Sequence, residues 1–238
     1  MKNNWKTWLV LSMRCLLFPA SFSFCVLIAK KDFADISHWW TMIASAVNLV
    51  TIAVLWTICR RSNTTYLDMI RYNKSKKSIR RGLLFVLVML LVGMGGMYLA
   101  GALCYGEFPY LAPMMIAPVP PYLALLNILI LPLTTTLAED GLYLGYGVNR
   151  FSSKWTAVLI PALFYALQHS FIPMIFDLKF MVYRFLSFLP LTIYICFQYR
   201  KGCPVSYIMA GHWLLNIATT IQIAVTSFFP EFYAKLIQ

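Results

Sequence analysis

Apolar residues fall along this chain in seven blocks of about twenty, at about 9–28, 39–58, 82–104, 122–149, 155–175, 180–199 and 204–228. A helix rises about 1.5 Å per residue, so about 20 residues cross a hydrocarbon core about 30 Å thick. The blocks are continuous and lack the alternation of a lipid-facing barrel strand, which predicts helices. Pro132, Pro161 and Pro190 lie inside blocks and predict kinks that neighbouring helices tolerate. The expected fold is all-α, a polytopic transmembrane helical bundle of about seven to eight spans, with 1–238 as a single transmembrane domain.

Composition agrees with that pattern: 61% of residues are apolar, 12% are charged and the mean hydropathy is +0.71. A soluble domain carries about 25% charged residues to cover its surface. The formal net charge of +12 raises nucleic acid as a partner. The basic residues, however, sit between apolar blocks and do not interleave with exposed aromatics, so the expected partners are membrane lipids and no nucleic acid. Cys15, Cys25, Cys59, Cys104, Cys196 and Cys203 are scattered without CxxC or other metal spacing, and read as small apolar fillers. The first block, Leu9–Ile28, is too long for a signal-peptide core and no A-x-A site follows, so it is expected to be retained.

Lysine and arginine placement sets the expected orientation. The connection 60–81 carries Arg60, Arg61, Arg71, Lys74, Lys76, Lys77, Arg80 and Arg81. Placing it in the cytoplasm puts Lys2, Lys6, Arg150, Lys154, Arg200 and Lys201 on the same side, with the N-terminus inside. Lys30, Lys31, Lys179 and Lys235 then fall outside, and Arg14 and Arg184 lie within spans. The same connection has a second reading as a surface helix on anionic lipid, because Tyr66, Leu67, Met69 and Ile70 interrupt its charges. Glycines 93, 95, 96 and 101, and the pair Gly141-xxx-Gly145, predict close helix packing. No internal repeat is visible to support an inverted-repeat transporter.

Ionisable groups inside spans are costly, about 2.5–3.5 kcal/mol each for Asp, Lys or Arg at mid-helix, and mark functional candidates. Glu139 and Asp140 are adjacent in the fourth block, His169 is in the fifth, and His212 and Asn216 are in the seventh. His38 lies in a loop beside Trp39 and Trp40, an interfacial position. Counting from the nearest cytoplasmic basic residue, Glu139 and His212 lie about 16 Å deep, and His169 and Asn216 about 22 Å. Antiparallel spans thus bring four polar groups to one layer. His212 and Asn216 are i,i+4 and share a helix face, as do Tyr165 with His169 and Glu139 with Tyr143. A carboxylate, two imidazoles and an amide around one cavity suit water activation, with an imidazole and an amide N–H donating to the oxyanion formed on a peptide carbonyl. Glu139, His169 and His212 are also the candidate ligands of a divalent metal such as zinc, although no HExxH is present and the three groups lie on separate helices.

Three segments carry a resemblance: Ala138-Glu139-Asp140-Gly141-Leu142-Tyr143-Leu144-Gly145-Tyr146, then Phe164-Tyr165-Ala166-Leu167-Gln168-His169, then Gly211-His212-Trp213-Leu214-Leu215-Asn216. Together they resemble the EExxxR, FxxxH and HxxxN motifs of the CAAX protease and bacteriocin-processing family of membrane peptidases. The likeness covers a core at about 122–220; the earlier blocks match only in being apolar. It implies an intramembrane endopeptidase acting on a membrane-associated peptide or protein substrate, in which Glu139 activates water together with His169. His212 and Asn216 would stabilise the oxyanion, with Asp140 and Tyr165 supporting. Metal dependence stays open. The bacterial branch of the family implies a multi-pass protein of a bacterial cell membrane, linked to peptide maturation, signalling or immunity to bacteriocins. Asp140 replaces the second motif glutamate and Tyr165 the motif phenylalanine. Leu144 replaces the motif arginine, leaving the paired carboxylates without that cation, and Arg184 in the sixth block is the candidate substitute. The competing readings are a non-catalytic immunity or scaffold protein that keeps the architecture, and a proton-coupled carrier using Glu139, His169 and His212 as a relay.

Overall fold

The structure is a computed structural model that describes residues 5–72, 78–110 and 112–236, and within them it is helical with no strand. Helix α1 (Trp5–Ala29) leads through the short α2 (Phe33–Ser37) into α3 (Trp40–Arg61). A single turn, α4 (Tyr66–Met69), precedes α5 (Ile79–Tyr105). After a 3₁₀ turn at Pro113–Ile116, α6 (Pro121–Thr135) passes without a break into a π-helical stretch, Thr136–Gly147. Then come α7 (Lys154–Leu167), α8 (Leu178–Arg200), α9 (Val205–Phe228) and the short α10 (Pro230–Leu236).

Among the described residues, six helical segments are long and apolar enough to cross a membrane: α1, α3, α5, the α6–π run Pro121–Arg150, α8 and α9. The expected block at 155–175 takes a different form. Its helix α7 has 14 residues, about 21 Å of rise, and closes in a 3₁₀ turn at Gln168–Phe171. Ile172 is extended, the conformation favoured before Pro173, and the helix does not continue through it. The break leaves His169 on a turn at the end of α7 rather than in mid-helix.

Packing pairs α5 with α8, α7 with α8 and α6 with α9, while α1 and α3 close over the π stretch. Outward positions stay apolar: Leu27 is 76% exposed and Leu103 69%. Such a surface suits lipid as the solvent. Of the third-block glycines, Gly96 marks a close approach, because a Cβ there would lie 2.6 Å from the Ser187 carbonyl oxygen on α8, whereas Gly95 faces nothing within 4 Å.

The basic segments gather at one end of the bundle. Arg200 Nη2 donates to the Ser152 carbonyl (3.1 Å), the Tyr207 hydroxyl to the Ser78 carbonyl (3.0 Å), and Asn149 Nδ2 to the Met69 carbonyl (3.0 Å). Those contacts tie 60–81 to the turns after the π stretch and after α8. Lys2, Lys74, Lys76 and Lys77 lie outside the described residues.

Within the described residues of the 60–81 connection, the surface helix of the second reading amounts to the single turn α4. Thr65 and Asp68 form a capping box that folds α4 as one turn, and Ile70 is buried at 1% exposure. The Tyr66 hydroxyl donates to the Leu137 carbonyl at 2.6 Å. The physical cause is Gly141 and Gly145. A Cβ on Gly141 would meet the Tyr66 hydroxyl at 2.7 Å, and one on Gly145 would meet Ile70 Cγ2 at 2.8 Å. The small-xxx-small pair therefore admits α4 and its flank, and at Gly141 also the span α3, whose Leu55 Cδ1 would lie 2.9 Å from that Cβ.

Candidate active site

The π stretch carries both carboxylates. Its i→i+5 pattern widens the turn, a form that is rare and concentrated at functional sites. Glu139 and Asp140 are both buried, at 2% and 0% exposure. Adjacent residues on a helix point in different directions, and the two carboxylates accordingly take different partners.

Glu139 is held by a cation from α1. Arg14 Nη2 donates to Glu139 Oε1 at 2.8 Å, and the pair is almost completely buried. Arg14 Nη1 donates to Asn48 Oδ1 (2.8 Å) and Thr51 Oγ1 (3.1 Å) on α3, and Arg14 Nε donates to Gln168 Oε1 on the turn after α7. Asn48 Nδ2 in turn donates to the Thr135 hydroxyl at 2.8 Å. A buried ion pair needs partners for its remaining hydrogen-bonding groups, and this network supplies those of the guanidinium. Glu139 Oε2 stays free of protein hydrogen bonds and stands 3.6 Å from His212 Nε2.

Arg14 corrects the expectation about the missing motif cation. Arg184 was the candidate substitute, but its Nε donates to the Ile172 carbonyl at 3.1 Å and its guanidinium lies over the Phe188 ring. The cation on the carboxylates comes instead from the first helix. Leu144 itself is fully buried in the hydrophobic core.

Asp140 works on the other side. Its Oδ1 accepts the Tyr165 hydroxyl at 3.1 Å and stands 3.3 Å from His212 Nδ1. An ionised carboxylate only accepts, so that contact requires a proton on His212 Nδ1 and turns Nε2 toward Glu139. Tyr165 is fixed in place by stacking on Tyr143, with ring centroids 4.5 Å apart. His169 Nδ1 lies 2.9 Å from the Tyr165 carbonyl, which can only accept; Nδ1 therefore carries the proton and Nε2 holds a lone pair. The His169 ring stacks on Phe188 at 3.5 Å. Asn216 Nδ2 donates one hydrogen to the His212 carbonyl at 3.0 Å, one turn back on α9.

Glu139, Tyr165, His169, His212 and Asn216 all line one cavity of about 960 Å³, bounded largely by apolar side chains of α5, α8 and α9. Asp140 is not in its wall. The structure thus brings together four residues expected to act on substrate, and sets Asp140 behind them. Among the described residues no three His, Cys, Asp or Glu side chains converge as metal ligands.

Sequence reasoning missed Arg14, Asn48, Thr51 and Gln168. Arg14 carried the same signal as the others, an ionisable residue inside a span. On the same ruler it lies about 12 Å from Lys6, near the depth of Glu139.

Residues 121–218 match the family model described as Rce1-like, type II CAAX prenyl endopeptidase Rce1-like. The matched segment contains Glu139, Asp140, Tyr165, His169, His212 and Asn216, and it supports the resemblance to the CAAX protease family. Arg14, Asn48 and Thr51 lie outside it. No curated protein and no solved structure matches the chain.

Proposed function

From a chain whose residues 121–218 are CAAX-endopeptidase-like, we propose an intramembrane endopeptidase that hydrolyses a peptide bond in a membrane-associated peptide or protein. One observation carries the reading: a carboxylate with a free oxygen, an imidazole with a free lone pair, a second imidazole and an amide donor share the wall of one cavity.

The roles follow from the hydrogen bonds. Glu139 Oε2 and His169 Nε2 are the two acceptors for the hydrogens of an attacking water, and Glu139 takes the proton as the water oxygen adds to the carbonyl carbon. The carbonyl oxygen becomes an oxyanion, to which the second amide hydrogen of Asn216 and an Nε2–H of His212 donate. Collapse of the tetrahedral species breaks the C–N bond, and Glu139 returns its proton to the leaving amine. For His212 to offer Nε2–H while Nδ1–H faces Asp140, it must be an imidazolium. Two cations, Arg14 and His212, then balance two carboxylates, and the layer is neutral without a motif arginine. Asp140 and Tyr165 position His212, and Arg14 positions Glu139.

The scaffold reading drew its support from Leu144. Arg14 meets that objection, because the carboxylate pair does have a buried counter-charge. We also assign the basic end of the bundle to the cytoplasm, with the N-terminus on that side.

Comparison of peptide termini in membranes of cells making wild-type, Glu139→Ala or His169→Ala protein tests the activity. The wild type is expected to generate termini that both variants lack at equal protein level. Termini unchanged in both variants would overturn hydrolysis by this site.

A further inference from the structure

Among the described residues, Arg184 is the one strongly charged group in the cavity wall that the proposed hydrolysis does not use. It sits on α8 six residues past Leu178, is 5% exposed, and lines the same cavity as Glu139, His169 and Asn216. Its Nε is committed to the Ile172 carbonyl, and its guanidinium rests over the Phe188 ring at 4.9 Å. The same ring stacks on His169. No carboxylate among the described residues lies within ion-pair distance of it. The acidic side chains of the chain are accounted for elsewhere. Glu139 and Asp140 serve the site, while Asp32, Asp68 and Asp177 cap helices. Asp35, Glu107 and Glu231 are exposed.

A buried cation without a counter-charge among the described residues is expensive to keep, and the terminal nitrogens of a guanidinium form a fork that matches an oxyanion. We propose that Arg184 is an anion subsite of this cavity, binding a carboxylate on the bound peptide and so fixing where the scissile bond lies relative to Glu139 and His169. The assignment rests on the peptidase reading for its consequence, but the subsite is defined by Arg184 alone. The carboxylate comes from the peptide C-terminus or from an acidic side chain. The apolar remainder of the wall, including Met94, Met97 and Leu215, accommodates the neighbouring hydrophobic groups.

The test uses the full chain in phosphatidylcholine nanodiscs and three synthetic probes: N-dodecanoyl-Leu-Leu-Leu as the free acid, the same peptide as the C-terminal amide, and N-dodecanoyl-Leu-Glu-Leu amide. Calorimetry gives Kd for each, and mass spectrometry reads cleavage in parallel. Wild-type protein is expected to bind at least one carboxylate-bearing probe about tenfold or more tightly than the neutral amide, the range of a charged hydrogen bond. The probe that carries the preference identifies the source of the carboxylate. Arg184→Met is expected to abolish the preference and leave the neutral amide unchanged. Arg184→Gln, which keeps a donor for Ile172, should lose it too, and Arg184→Lys should retain part of it.

Equal loss of all three probes in Arg184→Met marks a structural role and overturns the proposal, as does a wild type that does not discriminate. Loss of the preference when phosphatidylglycerol is added to wild-type nanodiscs assigns Arg184 to a lipid phosphate, which also overturns it. An Arg184-dependent preference without cleavage leaves the subsite standing and counts against the peptidase reading. Cleavage without the preference removes the subsite only.

Discussion

Arg14 shows how one side chain changes the meaning of a motif. Breaking a buried ion pair by removing one partner costs about 3–5 kcal/mol, because the other charge is stranded. Arg14→Leu is therefore expected to lower thermal stability in nanodiscs and to abolish cleavage, with Arg14→Lys intermediate. The informative variant is Arg14→Leu combined with Leu144→Arg. A cation returned from the π stretch should restore activity, and failure to do so while the protein remains folded would mean that Arg14 acts through Asn48, Thr51 and Gln168 rather than through its charge. Asp140→Asn tests positioning: kcat should fall by about 10²–10⁴ with little change in KM, since the amide oxygen can still accept but no longer carries the charge that balances a His212 imidazolium, while the cavity wall is intact. Glu139, His169, His212 and Asn216 were legible because depth is countable along a helix. The division of labour between Glu139 and Asp140 was not, since adjacent residues share a depth and differ only in azimuth, which depends on the local helical period.

At the scale of elements, the decisive features are the π stretch and the turn docked on it. Neither has a strong sequence signature: i→i+4 and i→i+5 ladders use the same residue types, and α4 is one turn long. The Gly141-xxx-Gly145 pair predicted close packing, yet spacing alone did not say that a connection would share the groove with the span α3. Gly145→Ala should push Ile70 away and cost about 1–3 kcal/mol, seen as lower thermal stability and faster proteolysis between residues 60 and 81. The docked turn also has a pH response. The Thr65 side chain and backbone hold the exposed Asp68 carboxyl below its ordinary range. A group lowered on folding contributes above its unfolded value and loses that contribution as pH falls through the folded one. Proteolysis in this connection should accordingly rise only below the usual carboxylate range, and Asp68→Asn should show the acid-level rate at neutral pH.

For the whole molecule, helix class and membrane character were readable from block length and composition. The exception was 155–175, where an apolar run long enough to span is cut by Pro173, and hydropathy averages over the break. Hydrogen bonds among the basic connections place them at one end, which gives the orientation a direct test. In a cysteine-free background, an impermeant maleimide applied to intact cells should label Glu107→Cys and spare Asn63→Cys. The reverse pattern would invert the assignment.

The pairing of Arg14 with Glu139 joins positions 125 residues apart. A ribosome adds about 5–20 residues per second, so Arg14 is synthesised roughly 6–25 s before its carboxylate. Asn48 and Thr51 on α3 arrive much sooner and are neutral acceptors that can hold the guanidinium meanwhile. The same contacts that complete the finished network thus act first as a waiting place, and a nascent chain with Asn48→Leu should be degraded more during synthesis than its mature stability would suggest.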